Sequence, residues 1–327
     1  MKVSVIGAGA WGTTLSILLA EKGQRVTLWV YEKELVPEMQ EFRENRRFLP
    51  GFQLPETVEI SAEIQAVKDS EICFFAVPTQ FLRAITKLSA KNIGPSAVVV
   101  SASKGIEERS LNLPLEILRE ELESDKLCAL SGPNLSSEIA RGLPAATVVA
   151  SEKKEAARAV QESLMLERFR VYTNTDVIGV QLGGALKNVI AIAAGVADGL
   201  NLGDNAKAGL MIRGIAEITR LGVALGAKAE TFAGLSGMGD LITTCSSRLS
   251  RNHFVGEQIA RGRKLDDVLR EMKDVAEGVP TAAAARALGR QNQVALPITE
   301  EVYQVLYRGK DPYRALTDLM TRSATSE

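Results

Sequence analysis

Histidine is almost missing from this chain: His253 is the single one in 327 residues. A catalytic histidine–carboxylate pair would rest on that residue alone, and its place beside a helix-like segment reads more simply as a surface or helix-flanking side chain. Cysteine is nearly as scarce. Cys73, Cys128 and Cys245 are odd in number and far apart, so neither a disulfide framework nor a paired zinc motif is indicated. No cluster of cysteine and histidine could hold a catalytic metal. Tyrosine occurs five times, and Tyr-x-x-x-Lys spacing never does: Tyr307 and Lys310 miss it by one position. An excess of one charge is absent too. With 39 Lys and Arg against 40 Asp and Glu, and no long run of one sign, neither nucleic acid nor an anionic membrane surface is an expected partner. The opening "MKVSVIGAG" lacks the basic start, long apolar core and cleavage site of a secretory signal. A cytoplasmic protein with reduced thiols is expected.

What the chain does contain divides into two halves. Short apolar or β-branched runs read as strands at "KVSVIG", "RVTLWVY", "EICFFAV", "AVVVSAS", "KLCALSG", "AATVVAS" and "FRVYT". Helix-spaced segments such as "WGTTLSILLAEKG", stopped by Gly23, and "LPLEILREELES" alternate with them. That alternation predicts an α/β fold, a doubly wound and mostly parallel sheet with helices on both faces. After about Asp176 the strand-like runs stop and alanine- and leucine-rich segments take over. The expected organisation is a dinucleotide-binding domain over 1–175 and an all-α domain over 176–327. No Pro/Ser-rich linker separates them, so close packing is expected. The last six residues, "RSATSE", read as disordered.

"VIGAGAWG" places Gly7, Gly9 and Gly12 as G-x-G-x-x-G between a strand and a helix. In that context the first glycine permits a tight turn, the second lets backbone approach a pyrophosphate, and the third lets helix sit against strand. A dinucleotide is therefore the expected cofactor, on the helix N-terminus. Selectivity is read at the end of the next strand, "LWVYE", where an acidic residue suits the ribose of NAD and a basic one NADP. Tyr31, Glu32 and Lys33 give a mixed signal, and the choice stays open.

Hydride transfer also needs a group that exchanges a proton with the substrate oxygen. From Val177 to Ala197 the only charged side chain is Lys187. A run this apolar passes the length test for a membrane span, but a lysine at its centre would cost at least about 2.5 kcal/mol in hydrocarbon. A buried helix at the domain junction is the better reading, with Gly183, Gly184 and Ala185 admitting a second backbone. Desolvation there lowers a lysine pKa toward neutrality. With histidine, tyrosine and zinc set aside, Lys187 is the candidate general acid and base; the plainer alternative is a snorkelling structural lysine.

Three further clusters offer polar groups suited to a small phosphorylated substrate. "SASKGIE" puts Lys104, and "LSGPNLSSE" puts Gly132, Asn134 and Ser136, just beyond predicted strands, the edge where open α/β sheets bind ligands. "CSSRLSRNHFVGEQIA" sets Ser250, Arg251 and Asn252 at a helix start, as a phosphate clamp or as an ordinary serine cap. "GLSGMGDLITTC" adds Asp240 and Thr244; Asp240 could tune Lys187 or simply cap a helix.

Taken together, "GAGAWGT", "SKGIE", "LSGPN", "GALKNVIAIAAG", "GDNAKAGLMIRG", "GLSGMGDLITTC", "SRN" and "VAEGVPT" occur in an order that resembles the bacterial-type NAD(P)-dependent glycerol-3-phosphate dehydrogenases over the whole chain. The resemblance implies a Rossmann domain followed by a helical one, a homodimer, NAD or NADP as cofactor, and reversible reduction of dihydroxyacetone phosphate to sn-glycerol 3-phosphate for phospholipid synthesis. By the same resemblance Lys187 transfers the proton and Lys104 lies near both substrate and nicotinamide. Asp240, Thr244 and Asn188 surround the reacting groups, with Lys104, Lys187 and Asp240 also touching substrate. Ser250, Arg251 and Asn252 hold the substrate with Gly132 and Asn134, and Arg251 reaches the cofactor. Trp11, Tyr31, Ser136, Val275 and Glu277 line the dinucleotide beside the glycines. Tyr31 stands where many members carry histidine or arginine. Two other readings fit parts of the pattern: a lysine-dependent hydroxyacid dehydrogenase, which would need a carboxylate clamp, and a redox-sensing protein that holds NAD(P)H without turnover.

Overall fold

A computed structural model describes residues 1–272 and 274–323; the expected disordered tail beyond residue 323 lies outside them. Eight strands are present among these residues: β1 (Lys2–Ile6), β2 (Arg25–Trp29), β3 (Val58–Ser61), β4 (Ile72–Phe75), β5 (Val98–Ser101), β6 (Leu127–Ser131), β7 (Ala145–Ala150) and β8 (Phe169–Asn174). The helices that run between and after them are α1 (Ala10–Glu21), α2 (Val36–Phe42), α3 (Thr79–Ser89), α4 (Pro114–Glu121), α5 (Ser136–Ala140), α6 (Lys154–Leu164), α7 (Val177–Gly199), α8 (Gly203–Ala224), α9 (Asp240–Ser246), α10 (Arg251–Ala260), α11 (Leu265–Glu271), α12 (Gly278–Gln291), α13 (Pro297–Arg308) and α14 (Pro312–Met320).

The sheet order is β3-β2-β1-β4-β5-β6-β7-β8. Strand order reverses between β1 and β4, which pair in parallel from Val3↔Ile72 to Ile6↔Phe75; the crevice at such a reversal is the binding edge of a doubly wound sheet. The centre is apolar on both faces, as a strand sandwiched by helices must be: β4 is buried throughout as "ICFF". The sheet is mostly parallel as expected, and two of its details lie beyond that expectation. The edge strand β3 was not anticipated, because "VEIS" is four residues with only Val58 and Ile60 buried, too short for periodicity to register. And β7 runs antiparallel to β6, an orientation that composition does not encode.

After β8 the described chain is helical. Asp176 starts α7 by accepting the Gly179 amide at 2.9 Å, and its other oxygen accepts from the Lys228 amide and the Thr231 hydroxyl at 2.9 and 2.6 Å. α7 passes by composition for a membrane span, yet 83% of its most apolar window is buried inside the protein. Its apolar character follows from being packed on every side. α10 crosses it at backbone contact: a Cβ on Gly195 would overlap the His253 carbonyl oxygen, and one on Gly256 the Ile192 carbonyl oxygen. This crossing corrects the reading of His253. The residue is 6% exposed and its Nε2 meets Asp198 Oδ2 at 2.7 Å, where Lys207 Nζ also arrives at 2.6 Å. The glycine contacts draw α10 in so closely that the histidine becomes a buried tie between α7, α8 and α10.

Candidate active site

The segments that follow β5 and β6 meet α7, α9 and α10, and the glycine turn that follows β1 lies against the end of β4. Glycines at 7, 9 and 12 act for three separate reasons. Gly7 has φ +107°, which favours glycine, and a Cβ there would lie 2.6 Å from the Ala76 carbonyl oxygen. A Cβ on Gly12 would overlap the Gly7 carbonyl. Gly9 meets nothing within 4 Å, and it precedes α1, whose first turn holds no acidic residue and receives no side-chain cap. Open space before uncapped helix amides is a cradle that fits an anion. Asn45, which sequence reasoning missed, braces this turn: fully buried, its Nδ2 donates to Ala8 O at 2.7 Å and Thr13 Oγ1 at 2.8 Å. It lies in "ENRRFLP", where nothing but the fold ties it to the glycines.

Lys187 occupies the middle of α7 and is 7% exposed. Its Nζ donates to Asp240 Oδ1 at 2.6 Å and to Thr244 Oγ1 at 2.6 Å. The second oxygen of Asp240 receives Lys104 Nζ at 2.7 Å, and Lys104 also donates to the Gly132 carbonyl at 2.8 Å. One buried carboxylate is thus shared by two ammonium groups. Burial, with the Lys104 charge adding to it, pulls the Lys187 pKa down from 10.5 to about 8, against the opposing pull of Asp240. Asp240 reaches this point because a widened helical turn, Leu235–Gly239, precedes α9, with the Gly239 amide donating to Gly234 O at 3.1 Å. Close approach is needed on the α7 side as well. A Cβ on Gly183 would stand 2.5 Å from Ser236 O, and one on Gly184 2.5 Å from the buried, unpartnered Ser131 Oγ.

A chain of amides runs from this centre. Asn188 Nδ2 donates to the Lys104 carbonyl at 2.9 Å, Asn252 Nδ2 to Asn188 Oδ1 at 2.9 Å, and the Gly278 amide to Asn252 Oδ1 at 2.9 Å. Next to Gly278, Glu277 accepts the Thr79 amide at 2.8 Å, at the first turn of α3. Its second oxygen and the Thr79 hydroxyl are shut off from solvent without a partner. Burial pushes the Glu277 carboxyl up to about 7, the Thr79 amide and Arg251 pulling the other way.

The structure therefore brings Lys104, Gly132, Lys187, Asn188, Asp240, Thr244 and Asn252 into one connected cluster. Others stand apart from it. Ser250 Oγ accepts the His253 amide at 3.2 Å, an ordinary helix cap. Arg251 is half exposed, with Asp274 no nearer than 3.7 Å. Asn134 turns to β7, accepting from Thr147 Oγ1 at 3.1 Å. Ser136 opens α5, and its carbonyl accepts the Thr14 hydroxyl of α1 at 3.3 Å. Trp11 is partly buried on α1, Val275 is exposed, and Tyr31 is 65% exposed, edge-on to Trp29.

Fold and site define a dinucleotide-dependent oxidoreductase in which a buried lysine, paired to a carboxylate, stands where a sheet of doubly wound order meets a helical unit. The N-terminal part of the NAD-dependent glycerol-3-phosphate dehydrogenase family matches residues 2–157, and its C-terminal part residues 176–317. Glycerol-3-phosphate dehydrogenase [NAD(P)+] of Citrifermentans bemidjiense is 49% identical over 330 aligned positions, covering 100% of this chain and 98% of that protein. The enzyme of the same name from Moorella thermoacetica is 48% identical over 99% of this chain and 97% of its own. Among solved structures, the glycerol-3-phosphate dehydrogenase of Coxiella burnetii superposes with a TM-score of 0.95 at 35% identity, covering 98% of this chain and 99% of that one. A ketopantoate reductase of the PanE/ApbA family from Ralstonia eutropha, at TM-score 0.60 and 16% identity over 97% of this chain and 100% of that one, shares the fold alone. The chain belongs to the NAD-dependent glycerol-3-phosphate dehydrogenase family, and is an NAD(P)-dependent enzyme.

Proposed function

We propose that the protein reversibly reduces dihydroxyacetone phosphate to sn-glycerol 3-phosphate, the backbone precursor of glycerophospholipids, with Lys187 as general acid and base. The observation that carries this reading is the buried Lys187–Asp240–Lys104 array, in which the Lys187 pKa sits at about 8. A group titrating there can give and recover a proton at working pH. The unit over 1–175 holds the dinucleotide on the glycine turn and the α1 amides; the unit over 176–327 supplies the proton donor and the phosphate clamp. When bound, the nicotinamide supplies hydride to C2 of the ketone. Lys187 as ammonium polarises the C2 oxygen and donates its proton there, Asp240 keeping it charged and Thr244 fixing its direction. Lys104 adds a second positive charge beside the reacting oxygen. Asn252, with Arg251 and the first amides of α10, anchors the phosphate, so that binding energy remote from C2 serves orientation.

Steady-state kinetics tests the substrate: reduction of dihydroxyacetone phosphate by NADH and NADPH, set against oxidation of 3-hydroxy acids by NAD+ and NADP+. Preference for a hydroxy acid would turn the reading to the carboxylate-clamp enzyme. Lys187→Ala should bind cofactor normally and lose turnover by about 10² to 10⁴; near-normal turnover would remove Lys187 from the mechanism.

A further inference from the structure

The loop that carries Lys104 is stitched down from its outer side. It leaves β5 at Ser101 and reaches α4 at Pro114, and α3 supplies its fastenings. Gln80 Nε2 donates to the Ile106 carbonyl at 2.8 Å, while Gln80 Oε1 accepts the Glu108 amide at 3.1 Å. One helical turn on, Arg83 forks onto Glu107, Nε to Oε1 at 3.0 Å and Nη2 to Oε2 at 2.8 Å. The remaining guanidinium nitrogen binds Glu120 and Glu121 of α4 at 2.6 and 2.7 Å. Ser110 closes the loop on itself by donating to Glu107 Oε2. These contacts stand on one face of α3, since positions three apart are neighbours on a helix.

The fastenings have little slack to absorb movement. Ser103 Oγ donates to the Val77 carbonyl at 2.5 Å. Gly105 is flush with the first turn of α3: a Cβ there would lie 2.6 Å from both Thr79 Oγ1 and Glu277 Oε2. Lys104 is thus held between two anchorages. On one side are Asn188, Gly132 and Asp240; on the other, through the short turn to Glu107, are Gln80 and Arg83. A bidentate guanidinium–carboxylate pair fixes geometry in a plane, which a single charge contact does not.

We propose that Gln80 and Arg83 are positioning residues for Lys104: by fixing Ile106 and Glu107 they set where the Lys104 ammonium stands on Asp240, and so how that carboxylate is divided between the two lysines. The proposal rests on the reading of Lys187 as proton donor. If Arg83 is lost, Lys104 drifts from Asp240, and two changes follow with the same sign. The repulsion between the two ammonium groups weakens, and Asp240 is left to Lys187. Both hold the proton on Lys187 more tightly, so the alkaline limb of the pH profile moves up.

The test is kcat and KM for dihydroxyacetone phosphate from pH 6 to 9.5 in full-length Arg83→Met, beside Lys187→Ala and Arg286→Met. Arg286 makes a comparably enclosed pair with Glu300 at 2.7 Å, in the helical unit. Arg83→Met should lose about 10-fold in kcat/KM, and its alkaline limb should rise by about half a pH unit. Arg83→Lys, which keeps the charge and loses the fork, should recover part of the activity. Arg286→Met should lower the melting temperature and leave the limb unmoved. Gln80→Met gives the same readouts should Arg83→Met not fold. A lower kcat/KM with the parental limb, or no change in either, overturns the proposal. Normal turnover by Lys187→Ala would instead overturn the proton-donor reading, whereas an inactive Lys187→Ala with a parental Arg83→Met profile sinks this inference alone.

Discussion

Replacing Asp240 by asparagine removes the carboxylate between Lys187, at 2.6 Å, and Lys104, at 2.7 Å, while leaving the shape of the site close to unchanged. Thr244 and the Gly132 carbonyl still accept from the two lysines. What is lost is charge. An opposite charge at hydrogen-bonding range is worth one to three pH units to an ammonium, so Asp240→Asn should take the alkaline limb from about 8 to about 6. At pH 6 the parent would be almost fully protonated and the variant about half; at pH 9 the fractions are about one tenth and one thousandth. The ratio of variant to parent kcat/KM should therefore fall about 50-fold from pH 6 to pH 9. Any loss from misplacement, or gain from a stronger acid, multiplies all pH values alike and leaves that trend intact. Initial rates from nicotinamide absorbance, with cofactor saturating and dihydroxyacetone phosphate limiting, measure it, and a melting curve at each pH separates unfolding from titration. A variant slowed by one constant factor across the range would refute the claim that Asp240 works through the proton on Lys187.

Asn45→Ala leaves the Ala8 carbonyl and the Thr13 hydroxyl without their buried donor, so stability should fall by about 1–3 kcal/mol in urea titration and the KM for cofactor should rise more than that for substrate. Gly278→Ala would set a methyl 2.5 Å from Asn188 O and 2.9 Å from Asn252 Oδ1; parting that pair should cost kcat/KM for substrate about 10-fold or more, with dinucleotide affinity, read by fluorescence titration, close to parental. Glu277 bears on stability. Its carboxyl is raised by burial from 4.5 to about 7, so between those values the folded protein keeps a proton that the unfolded chain releases, and the group makes stability fall as pH rises through the window, by up to about 3 kcal/mol. Glu277→Gln should flatten that slope when urea midpoints at pH 5 and pH 8 are compared.

Much of the site was legible because it is written locally. Gly7, Gly9 and Gly12 do their work within six residues of one another, and strand–turn–helix context suffices to read them. Lys187 stood out because a charge inside an apolar helix demands a reason. The partnerships were hidden by distance along the chain: Lys187 and Asp240 are 53 positions apart, Lys104 and Asp240 136. Asn45 was missed for the same reason, its partners lying 37 and 32 positions away. His253 was misread because its burial comes from glycine contacts between α7 and α10, neither of which reveals the other in sequence.

By itself the sequence determined the alternation that builds the sheet, the glycine turn that leads into α1, the helix too apolar for a surface, and the lysine that had to be explained inside it. These depend on backbone propensity and on the periodicity of apolar side chains, which act over a few residues. Tertiary structure alone decided that one carboxylate serves two lysines, that β7 turns against its neighbour, and that the Lys187 proton is held near pH 8. Such properties come from charges and low-dielectric surroundings gathered from remote segments, and they exist only once the chain has closed around them.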